Sequence, residues 1–96
     1  MITLTTNFEK RVYTEVSKIP RGQVRSYKDI AVRIGEPRAY RAVANALRKN
    51  PFAPKIPCHR VIKSDNAIGG FSKGIPTKKS LLRQEGLTIK GDTVII

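Results

Sequence analysis

Ser26–Arg48, with the sequence SYKDIAVRIGEPRAYRAVANALR, is the stretch that decides the fold. Ser26 and Asp29 have the spacing of a helix N-cap and its reciprocal partner, and Gly35 stands where a helix would end. Pro37 fits the first turn of the next helix. The apolar positions of that helix follow a 3.6-residue period and are Tyr40, Val43, Ala44 and Leu47. The pattern predicts a short helix, a brief turn and a second helix.

The opposite face of the second helix is polar and basic. It carries Arg38, Arg41, Asn45 and Arg48. Two short helices with a basic outer stripe are typical of a helix-turn-helix that contacts nucleic acid. A solvated charged face gives the same pattern, so the stripe alone leaves both interpretations open.

The chain before this stretch predicts one more helix. Thr6–Glu9 reads as a capping box, and the helix should run from Asn7 to Lys18 and stop before Pro20. Its apolar residues lie along one stripe and are Phe8, Val12, Val16 and Ile19. After a turn at 20–22, residues 23–25 are expected to form an extended link.

The second half of the chain predicts short β-elements and a final helix. Val61-Ile62 reads as a buried strand, and the glycine-rich segment 68–74 as a wing or a backbone-lined pocket wall. A helix is expected over 76–85, with Leu81 and Leu82 inward and Lys78 and Lys79 outward, followed by a hairpin over 87–96. We therefore predict a mainly α fold with short β-strands, winged-helix-like and containing a helix-turn-helix.

Length and charge limit the possible functions. Ninety-six residues suit one domain, spanning residues 1–96, and no apolar run is long enough to cross a membrane. No targeting signal is visible, so a cytoplasmic location is expected. Nineteen basic and seven acidic residues give a net charge of +12, which favours a polyanionic partner such as nucleic acid. A highly soluble surface or an anionic membrane face would also account for this charge.

Cys58 and His59 are the only cysteine and the only histidine, and they are adjacent. One of each allows neither an internal disulfide nor a four-ligand zinc site, so Cys58 is inert packing or a reactive thiol. A reactive thiol needs a base, which His59 can supply if a carboxylate orients its ring. Glu85 is the candidate, because three other acidic residues already serve helix starts: Glu9, Asp29 and Glu36.

These residues stand in a sequence that resembles the DNA-binding, active-site domain of the O6-alkylguanine-DNA alkyltransferases over nearly its whole length. The strongest match is the active-site signature Ile56–Ile62, IPCHRVI. Further matches support it and are Pro20–Tyr27, Arg41–Val43, Asn50-Pro51 and Leu81–Gly86. The resemblance implies a protein that flips an alkylated guanine out of duplex DNA and transfers the alkyl group irreversibly to its own cysteine.

The resemblance also implies catalytic roles. Cys58 would accept the alkyl group, His59 would be the water-mediated base and Glu85 would orient it. Asn50 would brace the active-site turn, and Tyr27 would donate a hydrogen bond to guanine N3. The family's reaction uses each molecule once, as a monomer, and needs no metal or organic cofactor.

DNA contacts are implied for a second set of residues. Arg41 matches the arginine that fills the gap left by the flipped base, and the small Ala42 and Ala44 would allow close approach to the minor groove. The remaining expected DNA contacts are Ser26, Arg38, Asn45 and Arg48.

A third set would form the base pocket. Pro57 fixes the position of the thiol, the backbone carbonyls of Cys58 and Val61 would accept from the guanine amino group, and the Ser72 amide would contact O6. Phe71 stands where the family commonly has Tyr, so a hydroxyl is lost while a ring remains to wall the alkyl pocket.

Two other functions stay open at this point. An alkyltransferase-like lesion sensor would flip the base without transfer, although that group typically has Trp where Cys58 stands. An ordinary helix-turn-helix regulator would explain the charge but would leave Cys58, His59 and Glu85 without a purpose. Because most relatives carry a separate N-terminal domain, the chain is expected to be either a minimal protein or one module of a larger one.

Overall fold

A computed structural model describes residues 7–49, 55–71 and 73–95 of the chain. The fold is mostly helical with short strands. In chain order its elements are α1 (Asn7–Val16), β1 (Arg25–Ser26), α2 (Tyr27–Arg33), α3 (Tyr40–Arg48), a 3₁₀ turn (Cys58–Arg60), β2 (Val61–Ile62), α4 (Ile75–Gln84), β3 (Thr88–Lys90) and β4 (Thr93–Ile95).

Helix α1 buries the apolar stripe that the sequence predicts. Val12 and Val16 are fully buried, and the Tyr13 hydroxyl donates a 2.7 Å hydrogen bond to the Ala46 carbonyl of α3. The helix ends two residues before the predicted Lys18, in a turn closed by the Ser17 amide on the Tyr13 carbonyl. The predicted cap residue Thr6 lies outside the described residues.

Helix α2 begins and ends as predicted. Ser26 Oγ accepts from the Asp29 amide at 2.9 Å, and the Asp29 carboxylate accepts from the Ser26 amide at 3.2 Å, which completes the capping box. Gly35 follows the helix with φ of +81°, a conformation that glycine adopts without strain.

The predicted start of α3 is wrong. The helix begins at Tyr40, and Pro37 and Arg38 lie in the turn before it, which the Ala39 amide closes on the Glu36 carbonyl. The buried positions are Val43, Ala46 and Leu47, whereas Tyr40 is 46% exposed. The helix is therefore rotated relative to the predicted stripe: Ala46 is buried in addition to Val43 and Leu47, and Ala44 is only half-buried.

The strand prediction at Val61-Ile62 is confirmed, and its partner lies in the segment predicted as an extended link. β2 pairs in parallel with β1, with Arg25 opposite Val61 and Ser26 opposite Ile62. Because β1 runs directly into α2 and β2 directly follows the 3₁₀ turn, this short sheet brings Tyr27 and Cys58 to one region of the fold.

The last helix and the closing hairpin are confirmed, with one error on the helix. β3 and β4 are antiparallel, with Ile89 opposite Val94, and both residues pack in a second hydrophobic cluster with Ile62, Ile68 and Leu82. Lys78, which was predicted to face outward, is fully buried on α4. Within the described residues, no helix is long and apolar enough to cross a membrane.

Candidate active site

The 3₁₀ turn Cys58–Arg60 holds the candidate nucleophile in the core. Its backbone is fixed by hydrogen bonds from the Cys58 amide to the Ile56 carbonyl at 2.8 Å and from the Arg60 amide to the Pro57 carbonyl at 2.9 Å. Cys58 is not part of a disulfide, 3% of its surface is exposed, and it packs in the main hydrophobic cluster.

His59 and Arg60, the next two residues, both bind Glu85 at the end of α4. His59 Nε2 donates to Glu85 Oε2 at 2.9 Å. Arg60 forms a two-pronged contact, with Nε donating to Oε1 at 2.9 Å and Nη2 donating to Oε2 at 2.8 Å. Arg60 Nη1 also donates to the Ile19 carbonyl at 2.8 Å, so the network ties the turn to both α4 and the end of the first helical segment.

The charge state of Glu85 fixes the role of His59. Burial alone would raise the pKa of Glu85, but the hydrogen bonds from Arg60 and His59 and their charges outweigh it and lower the pKa to about 2. The carboxylate can therefore only accept, and the ring proton of neutral His59 lies on Nε2. This leaves the lone pair on Nδ1, a buried atom that has no hydrogen-bond partner within the described residues.

Burial dominates the titration of His59. It lowers the pKa of the imidazole, and the positive charges of Arg60 and Lys78 lower it further, while the hydrogen bond and charge of Glu85 act in the opposite direction. The ring is consequently neutral at neutral pH, the state in which Nδ1 can accept a proton.

Tyr27, at the start of α2, lies close to the glycine-rich segment. A side chain at Gly69 would place its Cβ 2.7 Å from the Tyr27 hydroxyl, and Gly69 has φ of +72°. Both the space and the backbone conformation therefore require glycine here. Burial, followed by the charge on Cys58, raises the pKa of Tyr27, so its hydroxyl keeps its proton and can act as a donor.

Lys78 is a member of the site that the sequence prediction missed. Its Nζ donates to the carbonyls of Val61 at 2.7 Å and Gly70 at 3.0 Å, and it lies 5.9 Å from the centroid of the Tyr27 ring. Burial lowers its pKa to about 8, while attraction to Cys58 raises it. The helical period places Lys78 on the same face as the buried Leu82, four residues later, but the prediction assigned Lys78 outward because a lysine is seldom buried.

Phe71 closes another side of the site. Its ring meets the His59 ring edge to face, with centroids 6.2 Å apart and planes at 75°. Phe71 is half-buried against the main cluster that contains Cys58. It therefore lies beside His59, where the sequence interpretation expects a wall of the alkyl pocket.

Helix α3 presents the expected basic face to solvent. Arg41, Ala42, Asn45 and Arg48 are exposed, and the charge of Arg48 reaches Tyr27, where it lowers the pKa of the hydroxyl against the larger effect of burial. A cavity of about 640 Å³ lies beside this face. Its lining comes from α2, α3 and the turn after β2, and consists of Tyr27, Lys28, Tyr40, Arg41, Ala44, Lys63, Ser64 and Asp65.

Two predicted site residues stand apart from this arrangement, and two others cannot be placed in it. Arg38 is exposed in the turn before α3 and not on the helix, and the Ser26 hydroxyl is engaged in the α2 cap. Asn50 and Ser72 lie outside the described residues. Among the residues described, no cluster of three or more histidine, cysteine or acidic side chains could hold a metal ion.

Comparison with known proteins assigns the chain to a family. Residues 7–87 match the family described as 6-O-methylguanine DNA methyltransferase, DNA binding domain. The chain belongs to this methyltransferase family. A methylated-DNA--protein-cysteine methyltransferase of Methanosarcina barkeri is 51% identical over 80 residues, which are 83% of this chain and 51% of that protein.

Two solved structures of proteins bound to DNA have a similar fold. Mycobacterium tuberculosis OGT in complex with DNA superposes with a TM-score of 0.83 at 44% identity, covering 85% of this chain and 50% of that one. S. pombe Atl1, in complex with damaged DNA containing O6-carboxymethylguanine, superposes with a TM-score of 0.81 at 33% identity, covering 92% of this chain and 83% of that one. The chain spans about half the length of the curated relatives it matches.

Proposed function

We propose that this chain repairs DNA by flipping an O6-alkylguanine out of the duplex and transferring the alkyl group to Cys58 in a single, irreversible turnover. The observation that carries the proposal is the buried Cys58 followed directly by His59, whose Nε2 is held by an ionised Glu85 at 2.9 Å. This arrangement directs the lone pair of a neutral imidazole to Nδ1, as proton removal from a neighbouring thiol requires. The names of the relatives in the methyltransferase family agree with this chemistry.

The transfer is a nucleophilic substitution at the alkyl carbon. His59 Nδ1 takes the proton of the Cys58 thiol through a water, and the thiolate sulfur attacks as the bond from carbon to guanine O6 breaks. The electron pair of that bond goes to the purine, where Tyr27 transfers its hydroxyl proton to N3 so that the base leaves neutral. The proton that His59 took from Cys58 then passes to Tyr27 through solvent. After the ring proton moves from N3 to N1 through solvent, the products are an S-alkylcysteine and guanine.

Lys78 adds to the electrostatics of this step. Its pKa of about 8 keeps most of the side chain charged at neutral pH, and that charge is attracted to Cys58. A buried cation favours the thiolate over the thiol. The same ammonium group occupies one acceptor position on the Val61 carbonyl, which leaves a second lone pair on that oxygen for the guanine amino group.

For DNA binding, we propose that α2 and α3 act as a helix-turn-helix in a winged-helix-like fold, with α3 against the minor groove. Arg41 enters the stack at the position of the flipped base, and Ala42 and Ala44 let the helix backbone approach closely. Arg48 and Asn45 face the phosphates, as do Arg38 and the backbone around Ser26. Asn50 bracing the active-site turn and the Ser72 amide contacting O6 belong to the same proposal.

A second function, lesion recognition without transfer, is favoured by one observation. The likeness to Atl1 covers 83% of that chain, more than the half covered in the methyltransferases. The thiol at position 58 favours transfer, because a sensor does not need a nucleophile at that position. A monomer in the cytoplasm, and residues 1–96 forming one domain, remain predictions.

Titration of lesions against protein separates these functions. A duplex containing one O6-methylguanine is mixed with increasing amounts of the chain, and guanine restored in the DNA is measured by nuclease digestion and chromatography. The proposal predicts a plateau at one repaired lesion per protein, abolished in Cys58→Ser. Tight binding of the lesion duplex with no restored guanine would establish the sensor and reject the transferase.

A further inference from the structure

Tyr40, the first residue of α3, has an exposed aromatic side chain that is not part of the hydrophobic core. Among the large apolar residues described as exposed, it is the one aromatic, with 46% of its surface accessible. Its hydroxyl makes no hydrogen bond to any described residue, in contrast to Tyr13, whose hydroxyl ties α1 to α3. Tyr40 therefore contributes little to the core, and its ring remains available for a partner.

The geometry of α3 directs Tyr40 to the same cavity as Arg41. Residues four apart lie one above the other on a helix, and residues three apart lie close to that line. Ala44 follows Tyr40 by four positions and Arg41 by three, so the small alanine lies between the two large side chains. All three line the cavity of about 640 Å³, whose other walls include Tyr27 and Lys63.

We propose that Tyr40 is a second wedge for DNA: its ring packs against the nucleotide next to the flipped base in the minor groove, while Arg41 fills the gap. This inference rests on the proposed function, since it assumes that α3 lies against the lesion duplex. Flipping a base disrupts the stacking of its neighbours. Separately, minor-groove proteins insert apolar side chains between base steps, which shows that a ring can occupy such a position.

The neighbours of Tyr40 suit such an insertion. Ala39 precedes it and Ala44 lies one turn later, so Arg41 is the one long side chain beside the ring on this face of the helix. Lys28 and Lys63, in the opposite wall of the cavity, make no hydrogen bond or ion pair with their side chains within the described residues. Their charges are available for the phosphates on either side of the inserted ring.

This role makes a prediction that separates Tyr40 from the chemistry. The wedge assists base flipping, so its loss should slow repair of a duplex but not of a single strand, where no stack has to be opened. Removing an aromatic stacking partner is expected to reduce affinity for the lesion duplex about 10-fold. The ring and not the hydroxyl carries this effect, so Tyr40→Phe should keep it.

The experiment compares the full chain with Tyr40→Ala, Tyr40→Phe and the control Ile95→Ala, which removes an equally exposed apolar side chain from β4. Single-turnover methyl loss is followed on a duplex and on a single-stranded oligonucleotide with the same O6-methylguanine, together with affinities for lesion and undamaged duplexes and the thermal midpoint. We expect Tyr40→Ala alone to lose rate and affinity on the lesion duplex, with an unchanged midpoint.

Unchanged duplex rates in Tyr40→Ala, or an equal loss on single strands, would overturn the inference. Loss in Tyr40→Phe equal to that in Tyr40→Ala would assign the effect to the hydroxyl and also reject the wedge. If the unmodified chain transfers no methyl group, the proposed function fails, and the lesion-duplex affinities of the same variants still decide whether Tyr40 contacts DNA.

Discussion

The turn at Cys58–Arg60 and the outer face of α3 differ in burial and in how their polar side chains are paired. In the turn, His59, Arg60 and Glu85 are largely buried and hold one another through hydrogen bonds of 2.8–2.9 Å. On α3, Arg41, Asn45 and Arg48 are exposed, and no hydrogen bond or ion pair of their side chains is described. The buried carboxylate of Glu85 is paired within the chain, whereas the exposed side chains of α3 have no such partner among the described residues.

This difference separates two kinds of mutational effect. Charges that are buried and mutually bonded cannot lose one member without leaving the others desolvated and unpaired, so changes in the turn should damage both stability and activity. Exposed arginines on a helix contribute little to folding, so changes on α3 should leave the fold intact and affect binding alone.

Glu85→Ala should have the largest effect. It leaves Arg60 as a buried cation without its carboxylate and removes the group that orients His59, so we expect a loss of about 3–5 kcal/mol in the free energy of unfolding. Methyl transfer should be lost as well. Urea unfolding and single-turnover repair measure the two effects, with exposed Glu36→Ala as the control. A Glu85→Ala protein with an unchanged free energy of unfolding would show that the hydrogen bonds to Glu85 do not stabilise the turn.

Arg41→Ala should weaken lesion recognition without changing stability. Flipping costs a few kcal/mol, and loss of the residue that fills the gap should reduce affinity for the lesion duplex about 10- to 100-fold. Fluorescence anisotropy with lesion and undamaged duplexes checks this, and Arg83→Ala on the exposed side of α4 is the matched control. If both substitutions weaken binding alike, the effect is one of net charge and α3 has no special role.

Acid should destabilise the turn in two steps. The pKa of His59 lies below its ordinary 6.5, and the pKa of Glu85 lies at about 2 instead of 4.5. The unfolded chain therefore binds more protons than the folded chain, so stability is present above the ordinary values and falls as the pH falls through them. Unfolding free energies should drop first below about pH 6.5 and again between about pH 4.5 and 2. Persistence of the lower step in Glu85→Gln would assign it to other carboxylates.

Arg48→Ala should give the smallest effect. As a phosphate contact it should weaken binding to every duplex alike and reduce the slope of affinity against salt by about one unit. Binding measured from low to moderate salt on lesion and undamaged duplexes tests this. A loss confined to the lesion duplex would instead assign Arg48 to the base pocket.

The sequence predicted the parts of the molecule that depend on local rules. The α2 cap and the closing hairpin are confirmed, because each depends on residues close in sequence. The strand at Val61-Ile62 is confirmed as well, since its own apolar, β-branched residues indicated a buried strand. Glu85 was chosen for His59 by elimination among the acidic residues, and the two side chains are indeed in contact.

Long-range packing accounts for what the sequence did not predict. β2 pairs with β1, and the paired residues Arg25 and Val61 are 36 positions apart in the sequence. Nothing in either segment specifies the other as its partner. Lys78 was assigned to solvent because a lysine is seldom buried, but the Val61 and Gly70 carbonyls satisfy it from other segments. Arg60 was part of the matched signature. Its two hydrogen bonds to Glu85 were not predicted, because they depend on the packing of α4 against the turn.

The most direct test of the account is the mass of the protein after one exposure to a duplex containing O6-methylguanine. The intact chain should gain one methyl group, peptide mapping should locate it on Cys58, and a second exposure should add nothing. An unmodified Cys58 in a chain that has bound the lesion, or a methyl group on any other residue, would contradict the claim that the turn at Cys58–Arg60 is a nucleophilic centre.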